Sequence, residues 1–170
     1  MEKLKYPRED AEEKFRLLTN CSSIAPNARA IAYEVTVNFI DEYKTINASL
    51  GGMRPAKLLV YLSIVLATVQ KSMRDPLFEK LGDERFDDGD CGVISRRAIA
   101  ESTGIPRENV RRIVKELIDE GRIIETTDGH VRQPSGYMEA PGVVEAVNSL
   151  VNGMVKTMQH LINMNVVQIR

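Results

Sequence analysis

The stretch from Val93 to Gln133, VISRRAIAESTGIPRENVRRIVKELIDEGRIIETTDGHVRQ, constrains the fold more than any other part of the chain. Ser95 is placed to N-cap a short helix through Ser102, Gly104 supplies the backbone freedom for a sharp turn, and Pro106 suits the first turn of a second helix. In that second helix, spanning about 106–120, Val110, Ile113, Val114, Leu117 and Ile118 fall on one face. Arg107, Arg111, Arg112 and Lys115 stay outside. A buried seam therefore carries a basic outer face. Gly121 ends the helix, and Arg122–Thr127 can pair with His130–Gln133 across Asp128-Gly129, a dipeptide suited to a two-residue type I′ turn.

That turn sets a register. With Thr127 facing His130, Thr126 falls opposite Val131 and Glu125 opposite Arg132, so one face of the hairpin packs and the other is wet. Two helices, a tight turn and a hairpin at 122–133 describe a winged helix-turn-helix. The run TGIPRENVRRIVKELIDEGRI followed by the Asp-Gly wing resembles the winged-helix transcription regulators of the MarR and GntR kind. The resemblance implies a mainly α fold with a small β-hairpin, double-stranded DNA as partner, and N- and C-terminal helices that interleave in a homodimer.

Composition gives DNA binding no global support. The chain of 170 residues has a formal net charge of −1, without the basic excess common in nucleic-acid binders. From Arg96 to Arg132, eight Arg and Lys are offset by seven Asp and Glu. Position matters more than the total. Glu116, Asp119 and Glu120 lie in the last turns of the second helix, while Arg107, Arg111 and Arg112 crowd its N-terminal end, where the helix dipole adds positive potential. Asn109, Arg111 and Arg112 are the candidate base readers, since Arg can bridge guanine O6/N7 and Asn can bridge adenine N6/N7. Arg107 and Lys115 suit phosphates, as do Arg96 and Arg97 at the start of the preceding helix. His130 and Arg132 are the wing candidates.

Upstream, the chain reads as helical: a charged segment from Glu9 to Thr19, a helix from Asn27 to about Ile46, and a third from Pro55 to Arg74, apolar almost all round and therefore expected to be central. Residues 1–53 form an N-terminal helical region and 54–135 the winged domain, with an acidic insert over 75–92. Asp83, Glu84, Asp87, Asp88 and Asp90 lack the alternation of a calcium-binding loop and read as solvated. After a Pro- and Gly-containing linker, residues 136–170 hold a long helix. Val143, Val147, Leu150, Met154, Met158 and Leu161 make one stripe on it, which calls for a partner within the chain or in a second copy.

Catalysis finds no foothold. Phosphate-binding glycine loops, G-x-S-x-G elbows and HExxH motifs are absent, and the two histidines, His130 and His160, lie in separate elements. Two cysteines without metal-type spacing suggest neither a disulfide framework nor zinc. No enzyme, cofactor or metal is indicated. A charged N-terminus and no apolar run of spanning length point to a cytoplasmic protein away from membranes. Three readings follow: a sequence-specific DNA-binding transcription regulator, which the basic helix favours; a winged-helix protein-interaction module; and a regulator that senses a small-molecule effector through its Met-rich final helix.

Overall fold

The structure, a computed structural model, describes residues 16–73, 88–89, 91–135 and 141–170. The segment expected over Glu9–Phe15, most of the acidic insert, and residues 136–140 of the linker lie outside these. The elements run in order β1 (Leu17–Thr19), a 3-10 turn (Cys21–Ser23), α1 (Ile24–Ser49), α2 (Pro55–Met73), α3 (Arg96–Thr103), α4 (Arg107–Asp119), β2 (Ile124–Glu125), β3 (Val131–Arg132), α5 (Pro141–Asn163) and β4 (Val167–Ile169). They divide into two compact units, one drawing its described residues from Met53–Ala140 and the other from Glu9–Gly52 with Pro141–Arg170.

The first unit is mostly helical with a small hairpin and has the winged helix-turn-helix arrangement. Ser95 N-caps α3, its hydroxyl accepting from the Ala98 amide at 3.1 Å. Gly104 closes the helix in the left-handed region at φ 70°, where a side chain would be strained, and so turns the chain toward α4. Pro106 sits at the N-cap rather than inside the helix, its φ of −53° leading directly into α4. Val110, Ile113, Val114 and Leu117 of α4 are buried against a core that includes Ile99 of α3 and Leu58, Val60, Tyr61 and Ile64 of α2. Helix α2 contacts α3, α4 and β3, so it backs the whole motif. It is less enclosed than its composition suggests: Leu59 and Leu66 stand exposed, because one flank meets no neighbour among the described residues.

The hairpin differs from the expected register by one residue. Ile124 pairs with Arg132 and Glu125 with Val131, and the loop is closed by Gly129 donating to the Thr126 carbonyl at 3.0 Å and Thr126 donating to the His130 carbonyl at 2.9 Å. A type I′ turn needs positive φ at both Asp128 and Gly129, but only Gly129 has it, at 78°. Asp128 instead takes a hydrogen bond from the Thr126 hydroxyl at 2.5 Å, and the glycine forms the bulge of a longer loop. A further strand position escaped the sequence. Ile94 exchanges backbone hydrogen bonds with Val131 (3.0 and 2.9 Å), placing β3 between Ile94 and β2.

In the second unit α1 and α5 pack together, and β1 pairs antiparallel with β4 from Leu17↔Ile169 to Thr19↔Val167. The ends of the described chain are thus stitched by a ribbon where a helix was expected up to Thr19. Helix α5 stops in a Schellman cap, with Asn165 left-handed at φ 54°, its amide on the Ile162 carbonyl and the Val166 amide on that of Leu161. The seam between α1 and α5 includes polar side chains. His160 Nδ1 lies 2.6 Å from Glu34 Oε2, Asn38 donates to Glu42 at 2.8 Å, and Gly153 leaves room for Asn38, whose Oδ1 would stand 3.0 Å from a Cβ there. Among the described residues of this unit, the large apolar side chains that are buried are Leu50 and Val166. Val144, Val147, Val151, Met154 and Val155 of α5, with Tyr33, Val35, Val37, Phe39 and Ile40 of α1, stand exposed.

Among the described residues, no helix is long and apolar enough to cross a membrane and no His, Cys, Asp and Glu cluster is suited to a metal ion. Cys21 is exposed, Cys91 is buried, and neither forms a disulfide.

Candidate nucleic-acid interface

An open groove of about 670 Å³ runs between α4 and the wing, lined by Arg96, Glu108, Arg111, Arg112, Lys115, Ile118 and Glu125. The spacing of α4 creates one wall. Its buried residues point inward at 110, 113, 114 and 117, which forces 108, 111, 112 and 115 to the opposite side. The groove floor therefore combines four cationic side chains with two carboxylates.

Two carboxylates at the C-terminal end of α4, Glu116 and the C-cap residue Glu120, are held by cations near the start of α2. Glu116 takes Arg54, just before α2, at 2.7 Å, and Glu120 takes Lys57 of α2 at 2.5 Å. Hydrogen bonding from Lys57 holds the Glu120 carboxyl below its ordinary range. Glu116 and Glu120 thus bind the end of α4 to its support, while Asp119 stays exposed. Arg112 reaches Glu116 only at 3.7 Å, and Lys115 is exposed with no ion-pair or hydrogen-bond partner among the described residues. These two are the least committed cations of the groove.

Arg111 is held differently. Glu108 receives its Nε at 3.1 Å and its Nη2 at 2.7 Å, and this hydrogen bonding keeps the carboxyl below its usual range and raises the guanidinium. Two atoms of the Arg111 fork are engaged, and Nη1 has no partner among the described residues.

Arg96 works on the wing. Its Nη1 and Nη2 meet the two carboxylate oxygens of Glu125 at 3.0 and 2.9 Å, and Nη1 also donates to the Gly129 carbonyl at 2.8 Å. A bidentate clamp of this kind fixes orientation as well as distance, so Arg96 ties the first turn of α3 to both ends of the wing loop. Arg97 and Arg107 are exposed and share Glu101, at 2.7 and 3.6 Å. Asn109 is exposed but about 100° round the helix from Glu108, and it does not line the groove.

On the wing, His130 is partly exposed, with Nδ1 2.9 Å from the Asp128 carboxylate. Arg132 is largely buried. It is 7% exposed, its Nη2 bound to Asp88 at 2.7 Å and its Nη1 to the Gln133 carbonyl at 3.1 Å. The acidic insert accordingly meets the wing through at least one carboxylate, and Gly92 continues the attachment by donating to the Thr68 carbonyl of α2 at 2.8 Å. Beside it, the Gln133 side chain donates to the Tyr61 hydroxyl at 2.8 Å.

The groove thus gathers Arg96, Arg111, Arg112 and Lys115 from the sequence candidates. It leaves Arg97, Arg107 and Asn109 on flanking surface, and largely buries Arg132 because β3 is the inner strand. The carboxylate Glu108 was missed. Its position on the outer face could have been found from helical spacing alone, since it stands opposite the buried seam.

A helix-turn-helix with a basic outer helix beside a clamped wing is the winged helix-turn-helix arrangement. Residues 89–124 match the family described as winged helix-turn-helix DNA-binding. Comparison with curated proteins and with solved structures finds no match.

Proposed function

We propose that the protein is a sequence-specific transcription regulator, of the MarR- and GntR-like kind, that binds double-stranded DNA as a homodimer. The observation that carries this reading is the groove: α4 presents Arg111, Arg112 and Lys115 on the side opposite its buried seam, next to the wing. A helix of 13 residues is about 20 Å long and fits lengthwise into the major groove, with the wing beside it. In this reading Arg111 and Arg112 meet base edges, Lys115 neutralises phosphate, and Arg97 and Arg107 border the backbone. Arg96 acts through the wing. His130, at the wing tip, lies over the flanking groove.

The dimer is supported by the helical unit. Helix α5 runs 23 residues and α1 runs 26, yet their mutual seam includes polar side chains and their apolar flanks are uncovered. Val144, Val147, Val151 and Met154 recur at three- and four-residue intervals, the spacing of a helix-packing ridge. Soluble monomers rarely leave a contiguous apolar surface of more than a few hundred Å². The occupant that fits best is a second copy, because a twofold axis lets each flank cover the other and brings two recognition helices to a pseudo-palindromic site.

Selection from a random duplex pool at low and at physiological salt tests both parts. Enrichment of a pseudo-palindrome is the expected result. Salt-sensitive binding with no enriched sequence would reduce the activity to backbone contact, and absence of binding at either salt would overturn the reading.

A further inference from the structure

We propose that Glu108 is a specificity-determining residue of the recognition helix, its carboxylate accepting a hydrogen bond from the N4 amino group of a cytosine while Arg111 donates to a neighbouring guanine. The inference rests on the DNA-binding reading above and deepens it by naming a base. Glu108 stands opposite the buried seam of α4 in its first turn, with its side chain 76% exposed, and lines the groove. Whatever surface α4 offers to a major groove, this carboxylate is at its leading edge.

A negative group there is repelled by phosphates and loses water on approach, so it is tolerated only against a base that offers a proton. The major-groove edge presents amino donors on cytosine N4 and adenine N6. Adenine places its N7 acceptor beside that donor, where its lone pair opposes a carboxylate. Cytosine presents no acceptor there, so it is the favoured partner.

The geometry of the pair assigns the second base. Arg111 gives Nε and Nη2 to Glu108, which stops the guanidinium from rotating and leaves the Nη1 protons without a partner among the described residues. A fork held this way can approach guanine O6 and N7 without first being ordered. Glu108 therefore acts twice, as an acceptor for one base and as the brace for the residue that meets the next.

The test is selection from random duplex DNA with the full chain as wild type, Glu108→Ala and Glu108→Gln, with far-UV circular dichroism to verify folding. Wild type should enrich a half-site with cytosine beside guanine. Glu108→Ala should lose roughly tenfold or more of the preference at the cytosine position alone, and bind unrelated DNA more tightly because a negative charge is gone. Glu108→Gln should move the preference toward adenine, whose N6 and N7 suit a carboxamide. If both variants enrich the wild-type motif at unchanged strength, Glu108 is only a surface partner of Arg111 and the inference falls. Complete loss of binding by folded Glu108→Ala would also overturn it, since the carboxylate would then serve only as a brace. A wild-type chain that enriches nothing overturns the DNA-binding reading itself, which separates the two failures.

Discussion

Individual side chains of the groove divide by what already holds them. Among the described residues Lys115 has no partner and Arg112 is only loosely held, whereas Arg111 is braced and Arg96 is clamped. Replacing Arg111 or Arg112 with Ala should cost about 1–3 kcal/mol at one base step and relax preference there, as read by competition binding with single-base variants of the selected site. Lys115→Ala should weaken all sequences alike and reduce the salt slope by about one. Away from the groove, Asp88 is the carboxylate on the buried Arg132 guanidinium. Asp88→Ala should cost about 1–3 kcal/mol by leaving that charge without its partner, seen as a lower urea midpoint with unchanged slope. Burial separates Arg132 from Lys115, and burial is the property that residue type does not encode. Both looked like exposed cations in the sequence, but β3 has a neighbour on each side and α4 has one open face.

At the scale of elements, the Arg96 clamp ties the wing loop to the start of α3. Hydrogen bonding from Arg96 holds the Glu125 carboxyl below its ordinary range, so the clamp contributes fully above the unfolded carboxylate value, about 4.3, and is lost as pH falls through the lower folded value. Protection of the Thr126 and Gly129 amides, which close the wing loop, should therefore hold steady at neutral pH and decline below that range. In Arg96→Ala it should already be reduced at neutral pH, with α3 and α4 amides unaffected. The elements themselves were largely legible: Ser95, Gly104, Gly121 and the 110–113–114–117 seam mark α3 and α4 by local rules alone. The hairpin's existence was legible too, but its register was not. Asp128-Gly129 is compatible with two loop types, and the choice was made by the Thr126 hydroxyl on Asp128 and by Ile94 pairing with Val131 from outside the hairpin.

For the whole molecule, the apolar flanks of α1 and α5 carry the expectation of a dimer. Val151→Glu with Met154→Glu places two charges on the uncovered face of α5, where both parent side chains are at least half exposed. The double variant should remain folded and sediment as a monomer while wild type sediments as a dimer, and it should lose the gain in affinity from a second half-site. Equal sedimentation of the two proteins would remove this face from the interface.

What the sequence alone determined is the local grammar: the Ser95 cap, the left-handed glycines at 104 and 121, and the period of the buried seam in α4, all of which depend on residues within a few positions of one another. The tertiary structure decided everything that depends on distant partners. It placed Glu116 and Glu120 on Arg54 and Lys57, Arg132 on Asp88, and the two ends of the described chain in one β-ribbon. Long-range pairing leaves no periodic trace in a sequence, because a carboxylate written beside a basic helix reads the same whether it faces a ligand or binds the helix behind it.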